Sequence, residues 1–165
     1  MRAWQVIDVK AFMAKLLMQD VFDQYLVSEM MINTFSKFEI NGKLNADFYS
    51  TQELEELHGR TNAKWSELRP IAFSLVKGKK IPLSFHINLM LSKEQIEKVV
   101  QENGVSISAE DISGLYIHIK FENGILYVIT GTGIKIFTMD KTLDNVWDDI
   151  IRNYLKKLEV AVKEE

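Results

Sequence analysis

Histidine is the side chain best suited to proton chemistry or metal binding near neutral pH, and the chain carries it at three places, His58, His86 and His118. No two of them stand at a His-x-x-x-His or comparable spacing. A metal centre needs several such ligands converging with carboxylates in a closed shell, so neither a metal nor another cofactor is expected. The sequence has no cysteine, which removes disulfides, thiolate catalysis, Cys-ligated zinc and Cys-held iron–sulfur clusters together. No serine sits in a Gly-x-Ser-x-Gly elbow, and no grouping of His, Ser and acid stands out as a triad. The expectation is a chain without catalytic residues, read as a binding or scaffold protein rather than an enzyme.

Two of the histidines nevertheless lie in segments whose residues alternate. Leu83, Phe85, Ile87, Leu89 and Leu91 alternate with Ser84, His86, Asn88 and Met90; Leu115, Ile117, Ile119 and Phe121 alternate with Tyr116, His118 and Lys120. Alternation of this kind marks strands with one apolar and one polar face. The polar faces offer an alternative function, a small-molecule or enzyme site lined by His86, Asn88, Tyr116, His118 and Lys120.

Charge points to a different place. Residues 58–82 hold six Lys/Arg and one Asp/Glu, a net +5, while the stretches 1–57 and 83–165 each carry −4. Arg60, Lys64, Arg69, Lys77, Lys79 and Lys80 are therefore the candidate anion-binding residues, and nucleic acid or another polyanion the candidate partner. Lys77-Gly78-Lys79-Lys80 lacks the spacing of a phosphate-binding P-loop. Thr130-Gly131-Thr132-Gly133 has no following helix and no lysine, and reads as a turn.

The elements that must hold these residues follow from periodicity and punctuation. Ala3 to Ile7 suits a strand, and Asp8 caps a helix with an apolar stripe at Val9, Phe12, Met13, Leu16 and Leu17. Tyr25 to Ile40 is expected to run as a strand into an Asn41-Gly42 hairpin turn and a partner strand over residues 43–49. Ser50 with Glu53 forms a capping box for a short helix at 51–58. Apolar positions from Trp65 to Val76 recur at helical spacing, with Pro70 expected to start that helix. After the strand at 83–91, Ser92 with Gln95 caps a helix to about Asn103. A second Asn-Gly, at 123–124, turns the strand at 115–121 into Ile125 to Thr130, and Gly131 to Gly133 are expected to turn the chain again into a strand at 134–138. An amphipathic helix over 142–160 closes the series; Trp147, Ile151, Tyr154 and Leu158 are its docking residues. Trp4, Trp65 and the methionines 13, 18, 30, 31 and 90 are expected in the core.

Strand, capped helix, strand, Asn-Gly, strand thus occurs twice. Asp8 to Asn41 spans 33 residues and Ser92 to Asn123 spans 31, with Lys-Phe-Glu before each Asn-Gly. The expected fold is α+β: two similar β-α-β-β units, residues 3–49 and 81–138, in a mainly antiparallel sheet with helices packed on one face. A basic connecting segment, 58–82, and the C-terminal helix complete a single domain, 1–165. With 47% apolar residues the chain can build an ordinary core, and no apolar run is long enough to span a membrane. No membrane partner is expected, oligomerisation is left open, and the first ten residues do not read as a signal peptide, so a cytoplasmic location is expected.

The second unit, with "SKEQIEKVV" and "GLYIHIKFENGILYVITGTG", resembles one repeat of the DNA sliding-clamp fold. That resemblance implies a clamp-like arrangement of paired units and an association with nucleic acid. The two capped helices are not basic, however, and nothing resembles a clamp's peptide-binding motif. The whole chain, particularly "LRPIAFSLVKGKKIPLSFHINLML", is similar to a clostridial family of unassigned function, which implies a bacterial cytoplasmic protein.

Overall fold

A computed structural model describes all residues, 1–165. Seven strands form one sheet: β1 (Ala3–Val6), β2 (Leu26–Asn33), β3 (Lys37–Asn41), β4 (Ser84–Met90), β5 (Ile112–Glu122), β6 (Ile125–Ile134) and β7 (Val162–Glu164). Five helices join them: α1 (Val9–Met18), α2 (Thr51–Glu56), α3 (Trp65–Val76), α4 (Lys93–Glu102) and α5 (Thr142–Lys157). The strand order is β3-β2-β4-β5-β6-β1-β7 and every pair is antiparallel. The α+β class, the antiparallel sheet and the C-terminal helix are as the sequence leads one to expect.

The caps form where the local chemistry puts them. The Asp8 carboxylate accepts from the Ala11 N–H at 3.0 Å. Ser50 with Glu53, and Ser92 with Gln95, each close both bonds of a capping box. Four expectations need correction. The Asn41-Gly42 pair ends β3 and makes no hairpin; the turn comes earlier, at Thr34 to Ser36, and residues 43–49 hold a single 3-10 turn at Ala46–Phe48 in place of a strand. Gly42 is there for close approach, since a Cβ on it would overlap the Val27 carbonyl. Thr130 to Gly133 do not turn the chain either: β6 runs straight through them, and residues 135–141 form no strand. Pro70 lies inside α3, where its missing N–H costs the helix about 3 kcal/mol. Tertiary contacts offset that cost. Trp65 is fully buried and donates from Nε1 to the Leu16 carbonyl at 3.0 Å, and Arg69 makes two hydrogen bonds to Asp23, at 3.0 and 2.8 Å. Lastly, Met18 is exposed, and Met31 and Met90 are half-buried outside the core.

Both β-α-β-β units contain their helix, α1 in the first and α4 in the second. Their strand neighbours differ. In the second unit β4, β5 and β6 are adjacent, whereas β1 of the first unit pairs with β6, on the far side of the second unit from β2. Strand β7, for which the sequence carries no alternating signal, adds to β1 and closes that edge.

The alternation of each strand sends one set of side chains into the core. Trp4, Val6, Met30, Ile32, Phe85, Ile87, Leu89, Leu115, Ile117, Ile119, Leu126 and Val128 meet Phe12, Leu16, Trp65, Ile96, Trp147, Ile151 and Leu155 from the helices. Helices α1, α3, α4 and α5 therefore cover one face. The side chains of the opposite face, among them Met31, His86, Met90, Tyr116, His118, Tyr127 and Ile129, are half-buried and none belongs to the core.

Candidate functional site

The uncovered face holds all five residues expected to line a polar site. Register brings them together: Asn88 stands opposite His118, His86 opposite Lys120, and Met90 opposite Tyr116 on β4 and β5. From β2, Glu29 pairs with Asn88 and Met31 with His86. Glu29 was not legible as part of the group, because its strand membership of this face depends on a bulge between Val27 and Glu29 that shifts the alternation.

Three rings form a row across the two central strands. The Tyr116 and His118 rings are stacked with centroids 6.1 Å apart, and His118 and His86 lie 6.0 Å apart. Glycines make room for them. A Cβ on Gly114 would run into the Tyr116 ring, and one on Gly131 would lie 2.9 Å from His118 Nε2. The glycines of the Thr-Gly-Thr-Gly stretch thus serve as a floor under side chains, with no phosphate-cradling loop.

A hydrogen-bonded chain fixes the orientation of His118. The Asn88 Oδ1 lies 2.7 Å from His118 Nδ1, and Asn88 Nδ2 donates to Glu29 Oε1 at 3.3 Å. Because Asn88 uses its N–H on a carboxylate, its oxygen faces the ring, so Nδ1 is the donor and Nε2 the bare acceptor in the neutral ring. Burial lowers the pKa of both histidines below the ordinary value. For His86 the positive charge of Lys120 adds to that, for His118 the neighbouring His86 does, and Glu29 opposes the shift in both. Both shifts favour the neutral ring.

Stability should therefore depend on pH. A histidine pKa lowered by folding means that the unfolded chain takes up protons first. The folded state keeps its full stability above the ordinary histidine range and loses it as pH falls through that range towards the lowered values. Between about pH 7.5 and about pH 5.5 the wild type is expected to lose more melting temperature than a His86→Gln/His118→Gln variant, with thermal unfolding as the measurement. Equal losses would remove the histidines as the cause.

The six basic residues of the middle segment differ in what holds them. Arg60 pairs with Glu67 at 2.6 Å and donates to the Asn62 carbonyl. Burial opposes ionisation of Glu67, but hydrogen bonds from Arg60 and the Lys64 N–H outweigh it and keep its carboxyl below the usual range. Arg69 is held by Asp23. Lys64 precedes α3 as its N-cap. Lys77, Lys79 and Lys80 stand exposed on the loop between α3 and β4, without an ion pair. His58 is exposed at the end of α2, at φ 51°, away from the other two histidines in sequence and on none of the strands. No group of three or more His, Asp or Glu is gathered closely enough to hold a metal ion, and no helix is long and apolar enough to cross a membrane.

No curated protein matches the chain, and no solved structure does. The model of a family described as a family of unknown function (DUF5721) matches residues 15–163, which include β2 to β6, most of β7 and the whole of the ring row. The chain belongs to that family.

Proposed function

We propose that the protein is a non-catalytic binding module that engages a macromolecular partner across the uncovered face of its sheet. The observation that carries this reading is the row Tyr116, His118 and His86, oriented by Asn88 and Glu29 on a face that no helix covers. Flat rings half-buried on rigid strands offer large contact area at little cost in side-chain entropy, and they resemble the anchors that dominate interfaces. Flanking Met31, Met90 and Ile129 add apolar surface that can adapt to a partner.

An open face supports a macromolecule over a small ligand, because ligand pockets usually enclose most of the molecule they bind. The hollow beside His86 and Asn88, about 590 Å³ and bounded by Glu29, Met31, Lys37 and Glu39, opens to solvent along β3. The charge on this face supports a protein over a nucleic acid. Lys37 pairs with Glu39 at 3.0 Å and Lys120 with Glu122 at 3.9 Å, which leaves no positive field to follow a phosphate backbone. Nor do the helices favour a clamp around DNA, since Lys93 and Lys98 on the exposed side of α4 are matched by Glu94, Glu97 and Glu102. Similarity to a clostridial family supports a bacterial cytoplasmic setting.

The test is a comparison of tagged wild type with a Tyr116→Ala/His86→Ala/His118→Ala variant, expressed at native level and isolated with whatever remains bound. Loss of ring anchors should lower a specific partner's recovery by at least tenfold, as expected when residues worth more than about 1 kcal/mol each are removed. Undiminished recovery by a variant shown to be folded would assign binding to another surface.

A further inference from the structure

We propose a second surface, independent of the sheet face, by which the protein docks on an anionic lipid membrane: the end of the sheet formed by the β2–β3 turn, the 77–83 loop and the β1–α1 junction. Register fixes this juxtaposition. Asn33 at the end of β2 pairs with Ser84 at the start of β4, which pairs with Glu122 at the end of β5. The Leu83 N–H donates to the Asn33 carbonyl at 2.9 Å, tying the 77–83 loop to the turn that carries Phe35. Antiparallel pairing of β1 with β6 brings Ile7 to the same end.

Large apolar side chains point into solvent there. Phe35 is 92% exposed, Ile81 75%, Leu83 67%, Ile7 66% and Met18 64%. Met18 and Ile81 border an apolar groove of about 700 Å³, lined also by Met13, Leu17, Phe73, Val76 and Phe121. Four lysines, Lys10, Lys77, Lys79 and Lys80, line its rim, and none of them is in an ion pair.

This combination selects the occupant. A nucleic acid would satisfy the lysines and leave Phe35, Ile81 and Leu83 in water. A protein helix seated in the groove would reach the groove's own lining and miss Phe35 at the hairpin tip. A bilayer takes both: lysines meet the acidic headgroups while apolar side chains on separate loops enter the boundary region at different points. Of the acids near this end, Asp8 caps α1, Glu39 pairs with Lys37 and Glu122 with Lys120, which leaves the four rim lysines unmatched. The attachment is peripheral.

The experiment is sedimentation of the purified protein with vesicles of phosphatidylcholine alone and of equimolar phosphatidylcholine and phosphatidylglycerol. Wild type should sediment with the anionic vesicles and stay in solution with the neutral ones, and added salt should release it. Lys77→Gln/Lys79→Gln/Lys80→Gln should weaken partitioning by roughly two orders of magnitude, at about a fivefold loss for each lysine near the surface. Phe35→Ser/Ile81→Asn/Leu83→Asn should weaken it at least tenfold, because each buried apolar side chain adds its own transfer energy. These positions are exposed, so thermal unfolding should be nearly unchanged in both variants. No sedimentation of wild type with anionic vesicles would overturn the proposal. So would full binding by the apolar variant together with binding of a single-stranded oligonucleotide, which would make the loop a general polyanion site.

Discussion

Replacing Trp147 with alanine is expected to destabilise the protein by about 3–5 kcal/mol. Trp147 is almost completely buried, and its Nε1 donates to the Tyr116 carbonyl at 2.9 Å. The substitution removes the largest side chain that α5 places under the sheet, leaves a cavity between Ile151, Leu143 and the strands, and deprives a half-buried carbonyl of a partner. Because that carbonyl belongs to Tyr116, the loss should also be felt on the opposite side of β5, in the ring row. Urea unfolding gives the free energy. A change near zero would mean that α5 is not docked as described, and the contacts of Tyr154 with Gln24 and the Val21 carbonyl would be in doubt too.

The second large effect is expected at Gly42. Its N–H donates to the Ser28 carbonyl at 2.9 Å and its carbonyl accepts from Ala63 at 2.7 Å, so the backbone is clamped between β2 and the segment leading to α3. A methyl group would collide with the Val27 carbonyl, and backbone cannot rotate away as a side chain can. Gly42→Ala should cost about 3 kcal/mol, at the high end of overpacking. Gly59→Ala is the control: it lies at φ 79° with nothing within 4 Å of a Cβ, so strain alone should cost about 1 kcal/mol. Equal losses at the two positions would show that the contact with Val27 is not what Gly42 provides.

Gly42 also explains where reading the sequence went astray. Asn-Gly is the strongest hairpin signal when both residues must adopt positive φ, and it works at Asn123 and Gly124, where φ is 54° and 78°. At 41–42 the glycine answers a different demand, close approach, and the two demands use the same residue. The actual hairpin turn, Thr34-Phe35-Ser36, contains neither Gly nor Pro. Gly131 and Gly133 misled in the same way: they look like turn residues but lie in β6, where they admit the His118 ring and the Ser113 hydroxyl. Helices were easier to read, because capping boxes and apolar stripes are local. Pro70 is the exception, and it is tolerated through Trp65 and Asp23, contacts made by distant parts of the chain.

The polar face was readable for a simple reason. Alternation alone sends His86, Asn88, Tyr116, His118 and Lys120 to one side of two strands, and those strands turned out to be neighbours in register. Strand order could not be read so directly. Nothing in Ala3 to Val6 says that β1 pairs with β6 and not with β2, since either pairing buries Trp4 and Val6. The basic segment shows the opposite limit: composition counts Arg60 and Arg69 as available cations, but Glu67 and Asp23 engage them once the chain is folded.

Contact between the uncovered sheet face and a macromolecular partner can be captured by site-specific photo-crosslinking in cells that express the protein naturally. A photoreactive amino acid would replace Met31 or Tyr127, which flank the ring row, and in a parallel strain Glu97, on the exposed side of α4. The same discrete crosslinked species is expected from positions 31 and 127 and none from position 97. Crosslinks from position 97 alone, or no discrete species from either face position while the protein remains folded, would contradict it.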